Sequence, residues 1–433
     1  MKATARRFQG RPSSKAERAP RAIAFGHSRR EISFWRRLAA QAIQQVPTPF
    51  YLFSADPLLG AIEEMDAALC TSPVPVRHWL SCKTQPLAPL LQWWQPQGRP
   101  IEVVSEYEFR AAIRTGFKPP EILVNGPAKH RWLPNLADQT MIGLSVNFDS
   151  LSELKALLPC AKQLHWRVGI RLQTAQEFDP EHPGQPTQFG FTAAEAQPAL
   201  RALQRAGIHP EIVHFHLRTN VASPQIYERA IQEVAGICQA AKFSPHYLDC
   251  GGGWPPRHTC SHDGTFYAAE FDAPRLKCAR ELFPDLREIW LENGRFVSAR
   301  CGVLVISVLD VKDRPGMRQL ICNGGRTMNA LVSSWEQHEL LCLPERRGRQ
   351  VFTTVYGPTC MVFDQLARRP LPKTIRAGDH LIWLEAGAYH LPWETRFSHG
   401  LAAVVWHEAG SLQITRPPES FDQWWGRAGA SCA

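Results

Sequence analysis

A lysine closes the short apolar stretch Val76-Arg77-His78-Trp79-Leu80-Ser81-Cys82-Lys83 and is the first residue of the chain placed to do chemistry. Apolar residues followed by Pro86 suit a buried strand with Lys83 at its mouth. There the amine is either solvated, the ordinary state of a lysine, or a nucleophile. Later strand ends carry further candidates: Arg171, His216, Gly251-Gly252-Gly253 and Glu292-Asn293-Gly294-Arg295. A triple glycine after a strand lets backbone N–H groups close on a phosphate, or it is a plain tight turn. Arg295 carries a fork of donors suited to phosphate oxygens. It and Arg171 could equally form surface ion pairs, and His214 and His216 could be core histidines. Glu292, between Leu291 and a glycine turn, calls for a cationic partner.

One ligand uses the whole set. Pyridoxal phosphate needs an amine for its aldehyde, a cup for its phosphate, a carboxylate beside its pyridine nitrogen and a flat group against its ring. Lys83, Gly251–Gly253 with Arg295, Glu292 and His216 offer these in turn. A dehydrogenase or a metal hydrolase would leave at least two of them idle.

Groups so far apart in sequence need a frame that gathers strand ends. After the lysine strand, strand-like runs recur at Ile101–Val104, Glu121–Val124, Met141–Val146, Val168–Leu172, Ile212–His216, His246–Asp249 and Glu288–Glu292. Helix-period segments lie between most of them, as at Tyr107–Thr115, Ser150–Leu158, Ala193–Ala206 and Gln225–Ala241. Eight alternating units predict an α/β fold with a closed parallel (β/α)8 barrel, whose functional groups collect at the C-terminal strand ends. A doubly wound open sheet would place its glycine fingerprint after the first strand, where none stands. Beyond Arg295 the rhythm gives way to strands at Val303–Val311, Arg318–Cys322, Gln350–Val355, His380–Glu385 and Leu401–Val405, which predicts a C-terminal β-barrel or β-sandwich domain. The expected division is a basic, disordered leader over 1–37, a segment over 38–54 pairing with the β domain, the barrel over 55–300, the β domain over 301–418 and a poorly ordered tail over 419–433.

The formal charge of +9 belongs to the leader, where eleven Lys or Arg stand against two acids. The remainder carries no net charge, so it needs no nucleic-acid partner. The leader has no apolar core of a secretory signal, and no run is long and apolar enough to span a membrane. Twelve scattered cysteines without metal-ligand spacing suit reduced thiols in a cytoplasmic protein and no bound metal.

From about Thr48 to Trp406 the chain resembles the fold type III pyridoxal-phosphate decarboxylases, the diaminopimelate, ornithine and arginine group with an alanine racemase-like barrel. The resemblance rests on Thr48-Pro49-Phe50-Tyr51, Ser81-Cys82-Lys83, Val103-Val104-Ser105-Glu106-Tyr107-Glu108, Gln188-Phe189-Gly190 and His214-Phe215-His216. It continues through Leu248-Asp249-Cys250-Gly251-Gly252-Gly253, Glu292-Asn293-Gly294-Arg295, Tyr356-Gly357-Pro358-Thr359-Cys360 and Gly387-Ala388-Tyr389. It implies that Lys83 tethers the cofactor, that Glu292 meets the pyridine nitrogen, that His216 stacks on the ring and that Arg171 sits near its edge. Gly251, Gly252, Gly253, Gly294, Arg295, Tyr389 and the hydroxyl of Thr219 would serve the phosphate side. Cys360 would protonate the carbanion carbon from the other subunit of a head-to-tail homodimer.

Departures bear on the substrate. Arg218-Thr219 replaces the glycine-serine that follows the stacking histidine. Met361 stands where diamine-forming relatives place an acid, and Trp335 falls near a second such position. Phe397-Ser398-His399-Gly400 replaces a phenylalanine-asparagine-glycine. A buried substrate amine facing Met361 and Trp335 would lack its ion pair, at a cost of about several kcal/mol. These features, with Pro183–Gly190, are similar to the branch acting on siderophore precursors and carrier-bound amino acids. That likeness predicts a conjugated substrate touching Arg218, Trp335, Met361 and His399, with plain diaminopimelate, lysine or ornithine as the alternative.

Overall fold

The structure, a computed structural model, describes residues 23–177, 185–221, 223–261, 265–266, 276–329 and 336–429. Its parallel barrel is closed by a first strand in two pieces. Val76–His78 pairs with the last strand, Glu288–Leu291, and after Trp79 the chain resumes as Leu80–Ser81 on Ile101–Val103. The ring runs on through Ile122–Val124, Ser145–Phe148, Arg167–Arg171, Ile212–His214 and Tyr247–Asp249.

Period-two alternation sorts the strand residues. Ile101, Val103, Ile122 and Val124 join the main core with the surrounding helices. Residues in the opposite phase form two levels. Trp79, Leu123, Ile212 and Trp290 cluster together with Tyr247 against them, the two indole rings 4.7 Å apart. Two residues further along the strands stand Ser81, Asn125, His214, Asp249 and Glu292, all buried. An apolar plug therefore underlies a polar ring.

The helices follow the sequence signals. Glu106–Thr115, Leu151–Gln163 and Ala193–Arg205 each start behind a Ser or Thr whose hydroxyl accepts the N–H three residues on. The strand expected at Met141–Val146 lies instead at Ser145–Phe148. Gly143 takes φ +83° and the Trp166 indole donates to the Met141 carbonyl, which holds the preceding residues in a turn.

Phe50–Ser54 lies inside the second, mostly antiparallel sheet, between Gly302–Arg314 and Ala403–Glu408. Helix Arg29–Ile43 begins inside the stretch assigned to the disordered leader. Ser28 and Glu31 form a capping box, and Trp35, Leu38, Ala39 and Ala42 pack on Phe50, Leu52 and Val305. The tail also departs from expectation, because Ser420 caps helix Phe421–Arg427. Gln365–Pro372 is a strand that its prolines disguised; it sits at the sheet edge, where proline is tolerated. No helix among the described residues is long and apolar enough to cross a membrane.

Candidate active site

Leu80–Ser81 ends in a single tight turn, Cys82–Thr84, where Gln85 N–H returns to the Cys82 carbonyl and the Thr84 hydroxyl to the Ser81 carbonyl. The turn aims Lys83 across to Glu102 on the neighbouring strand. Lys83 Nζ lies 3.0 Å from Glu102 Oε2, which the Ser81 hydroxyl also meets at 2.5 Å. Glu102 is fully buried, whereas the lysine side chain is 32% exposed, so the amine lines the open end of the ring. Burial works against its charge, but Glu102 and then Glu292 outweigh this and raise the ammonium above the ordinary lysine value. Burial and Glu102 push the nearby Glu108 up to about 7, and its carboxylate accepts from Val104 N–H at 2.9 Å.

Glu292 sits opposite. Asn125 Nδ2 donates to its Oε1 at 2.5 Å, His214 Nε2 stands 3.5 Å away and His216 Nδ1 3.7 Å away. Burial opposes the charge, yet the two imidazoles and Lys83 hold the carboxyl well below the usual range. Burial in turn pulls His214 well below the ordinary imidazole value, against the opposing pull of Glu292. Burial and the Glu292 charge push Asp249 well above an ordinary aspartate. Ligand atoms of His214, His216 and Glu292 lie within 4.8 Å of one another, and His214 feels the charges of both Arg171 and Lys83.

The glycine run is required by close approach. A Cβ on Gly252 would fall 2.5 Å from the Glu292 carbonyl oxygen, and one on Gly251 2.5 Å from His216 Nδ1. Gly252 N–H donates to that Nδ1 at 3.2 Å, and Gly251 N–H goes to Asp249. Gly253 takes φ +103° and packs on the Arg218 carbonyl, while its own carbonyl accepts from Val221 N–H. This brings the turn carrying half-buried Arg218 and exposed Thr219 onto the glycines. Gly294 is pressed against Thr84.

Arg295 lies 4.6 Å from the Tyr389 ring and forms a 2.6 Å ion pair with Glu336. Asn220 and His338 also bind Glu336, and although burial opposes its charge, Arg295 holds it down to about 2. Tyr389 N–H donates to the Thr84 carbonyl at 2.8 Å, and the Gln85 amide reaches the Gly387 carbonyl, so the lysine turn is tied to the second domain. Arg171 is buried beside His214 in register, pairs with Glu177 at 2.6 Å and lies over Phe189 at 4.5 Å.

The substrate-side residues lie elsewhere. Cys360 is exposed and Met361 half-buried on the loop after Gln350–Tyr356, which Asp364 pins through Thr359 and Arg326 N–H. His399 is exposed, its Nδ1 3.4 Å from the Phe397 carbonyl oxygen. No described hydrogen bond or ion pair joins these three to Lys83. Trp335, Pro183 and Gly184 fall outside the described residues.

The residues present fit pyridoxal phosphate. The ring of strand ends offers an amine, an ionised carboxylate held apart from it, a quarter-exposed imidazole at His216 and a guanidinium at Arg295, and Arg171 Nε is buried without a partner. Sequence reasoning missed Glu102, Asn125, Asn147 and Glu336. The first three were legible in principle, as polar residues in phase with inward-facing neighbours on their own strands.

The family model for the pyridoxal-dependent decarboxylase pyridoxal-binding domain matches residues 61–299. A diaminopimelate decarboxylase of Actinosynnema pretiosum subsp. auranticum is 30% identical over 325 residues, 71% of this chain and 72% of that protein. Another, from Aquifex aeolicus, is 26% identical over 345 residues, 75% and 79% of the two chains. Among solved structures, Helicobacter pylori diaminopimelate decarboxylase complexed with L-lysine aligns at TM-score 0.77 with 21% identity, covering 90% of this chain and 99% of that one. Vibrio vulnificus lysine/ornithine decarboxylase complexed with cadaverine aligns at 0.73 with 20% identity, covering 88% and 99%.

Proposed function

This chain belongs to the pyridoxal-dependent decarboxylases, and we propose that its substrate is a free amino acid of the diaminopimelate, lysine or ornithine kind. Its cofactor is pyridoxal phosphate, and its reaction releases CO₂ from an amino acid. Bound in the site, pyridoxal phosphate supplies a sink for the electron pair that departing CO₂ leaves on the α-carbon.

The chain's own residues do the rest. Lys83 tethers the cofactor through its amine, and the proton that the ammonium must lose leaves to solvent at the open end of the ring, where the side chain is 32% exposed, while Glu102 stays ionised. Glu292 stays ionised and so holds a proton at the pyridine nitrogen. His216 would lie against the ring and Arg171 near its edge. Gly251–Gly253, Gly294, Arg295, Tyr389 and the Thr219 hydroxyl hold the phosphate. Cys360 returns a proton to the α-carbon, a task a thiol suits near neutral pH. The carrying observation is that one ring of strand ends holds a lysine ammonium on Glu102 and, separately, an ionised Glu292.

The Cys360 loop also supports a homodimer with shared sites. Val362 and Phe363 beside it are 93% and 62% exposed, an apolar tip suited to burial in a partner subunit. Eleven described cysteines are free thiols, which suits the cytoplasm. A second reading, a conjugated amino acid of siderophore or other secondary metabolism, is favoured by Met361, which offers no charge to a distal amine.

A CO₂-release panel tests both readings. Diaminopimelate, lysine and ornithine are set against citrate-conjugated diaminopropionate and carrier-bound glutamate. Turnover of a free diamino acid above the conjugates is expected, and the reverse order would overturn the first reading in favour of the second.

A further inference from the structure

Two asparagines stand between the carboxylates of the polar ring. Asn125 follows strand Ile122–Val124 and is buried. Its Nδ2 donates to Glu292 Oε1 at 2.5 Å and faces Glu102 Oε1 at 3.3 Å. Its Oδ1 accepts from Asn147 Nδ2 at 3.0 Å, and that same nitrogen reaches Asp249 Oδ2 at 3.1 Å. The Asn147 donor fixes which way the Asn125 amide points, so both of its hydrogens are committed to carboxylates.

The two acceptors have different tasks. Glu102 grips Lys83, and Glu292 is the ionised acid opposite. We propose that Asn125 is a positioning residue that couples the proton state of Lys83 to the basicity of Glu292 through its single NH₂ group. While the ammonium occupies Glu102, that carboxylate is satisfied by Lys83 and Ser81, and the amide leans to Glu292, as the unequal distances show. When Lys83 gives up its charge, Glu102 loses its cation and competes better for the amide. The hydrogen bond to Glu292 weakens and Glu292 becomes the stronger base, which is the direction that favours a proton on the pyridine nitrogen. The inference rests on the assignment of Lys83 and Glu292 above.

The test uses the full chain stripped of cofactor, so it does not depend on turnover. The protonation midpoint of Lys83 is read from the pH dependence of its modification by trinitrobenzenesulfonate, followed by mass spectrometry of the Lys83 peptide. Glu292→Gln removes a negative charge and lowers that midpoint. The proposal requires the lowering to differ between the native and the Asn125→Ala backgrounds by at least about threefold in the protonation constant, about half a pH unit. Equal lowering in both would mean that the carboxylate acts through space alone, and the proposal would fall. The Asn125→Asp background, which keeps the volume but replaces a donor with an acceptor, must show the same kind of difference from the native one. Asn147→Ala, which frees the amide's orientation and leaves both carboxylates in place, must reduce it; thermal melts establish which variants are folded. Borohydride trapping of the cofactor on a residue other than Lys83 would instead refute the site assignment, an outcome the coupling measurement does not share.

Discussion

Replacing Glu102 with Gln keeps the shape of the Lys83 partner and removes its charge. In the native chain Nζ lies 3.0 Å from Glu102 Oε2 and 3.3 Å from Oε1, with the carboxylate fully buried. A hydrogen bond to a charged group is worth about 1.5–3 kcal/mol. At 1.36 kcal/mol per unit, its loss lowers the ammonium midpoint by about one to two pH units. Solvent reaching the lysine places the outcome toward the lower end. Because the folded value is raised, the pair stabilises the fold fully below the unfolded lysine value and loses that contribution as pH rises through the folded one. The same ion pair therefore restrains the amine as a nucleophile. The assay is the rate of pyridoxal phosphate capture by stripped enzyme, followed by absorbance from pH 7 to about 11. The variant should capture about tenfold faster at neutral pH, with its rate midpoint shifted down. An unchanged or higher midpoint would show that Glu102 does not set the lysine's charge.

Four further outcomes follow from the site. Glu292→Gln should retain the fold and lose about 10²–10³-fold in kcat, measured as CO₂ release, because it removes a buried charge aimed at the reacting system. Glu336→Ala leaves Arg295 buried without its partner and should cost about 3–5 kcal/mol in denaturant unfolding, whereas Arg295 and Glu336 removed together should cost less. Since Glu336 is held down to about 2, its contribution is complete above the ordinary glutamate value of 4.5 and fades as pH falls toward about 2; acid unfolding of Glu336→Gln should lack that slope. Mixing inactive Lys83→Ala with inactive Cys360→Ala should restore about a quarter of native sites if each site draws on both subunits, and no recovery of CO₂ release would rule out the shared site.

The eight strands and most helices were legible because each leaves a local trace: apolar runs, alternation and Ser-x-x-Glu caps. The polar ring was only half legible. Reading the strand ends finds Lys83, Arg171 and Glu292 but passes over Glu102, which lies inside its run, and Asn147, which lies one residue beyond the run at Met141–Val146. Alternation carries the missing information, since Leu123 faces inward and Asn125 two residues later must do the same. Where the strand at Met141–Val146 was placed too early, the phase was lost and Asn147 with it. Glu336 left no such trace. Its partner Arg295 belongs to the end of the barrel, and only the folded second domain brings the two within 2.6 Å.

That contact shows what the second domain contributes to a site built on barrel strands. Thr84, next to the lysine, receives Tyr389 N–H and stands against Gly294; Gln85 holds the Gly387 carbonyl; Ser298 reaches the Thr84 hydroxyl. Each bond crosses from the lysine turn either to the turn after Glu292 or to the loop of the second sheet. A free lysine turn at a strand end would sample many directions. Here four neighbours hold the turn, Tyr389 through its backbone and the others through the Thr84 and Gln85 side chains, and the lysine's remaining freedom is taken up by Glu102. Tyr389 is held in a left-handed conformation, φ +65°, that a non-glycine residue adopts only when its surroundings impose it. The imposed turn sets its ring over Arg295, whose other side is claimed by Glu336. The Arg295 guanidinium is thus positioned by two residues of the second domain, and the amine by one residue of the barrel. Loosening the contact between domains should disturb the Arg295 side of the site before it disturbs Lys83.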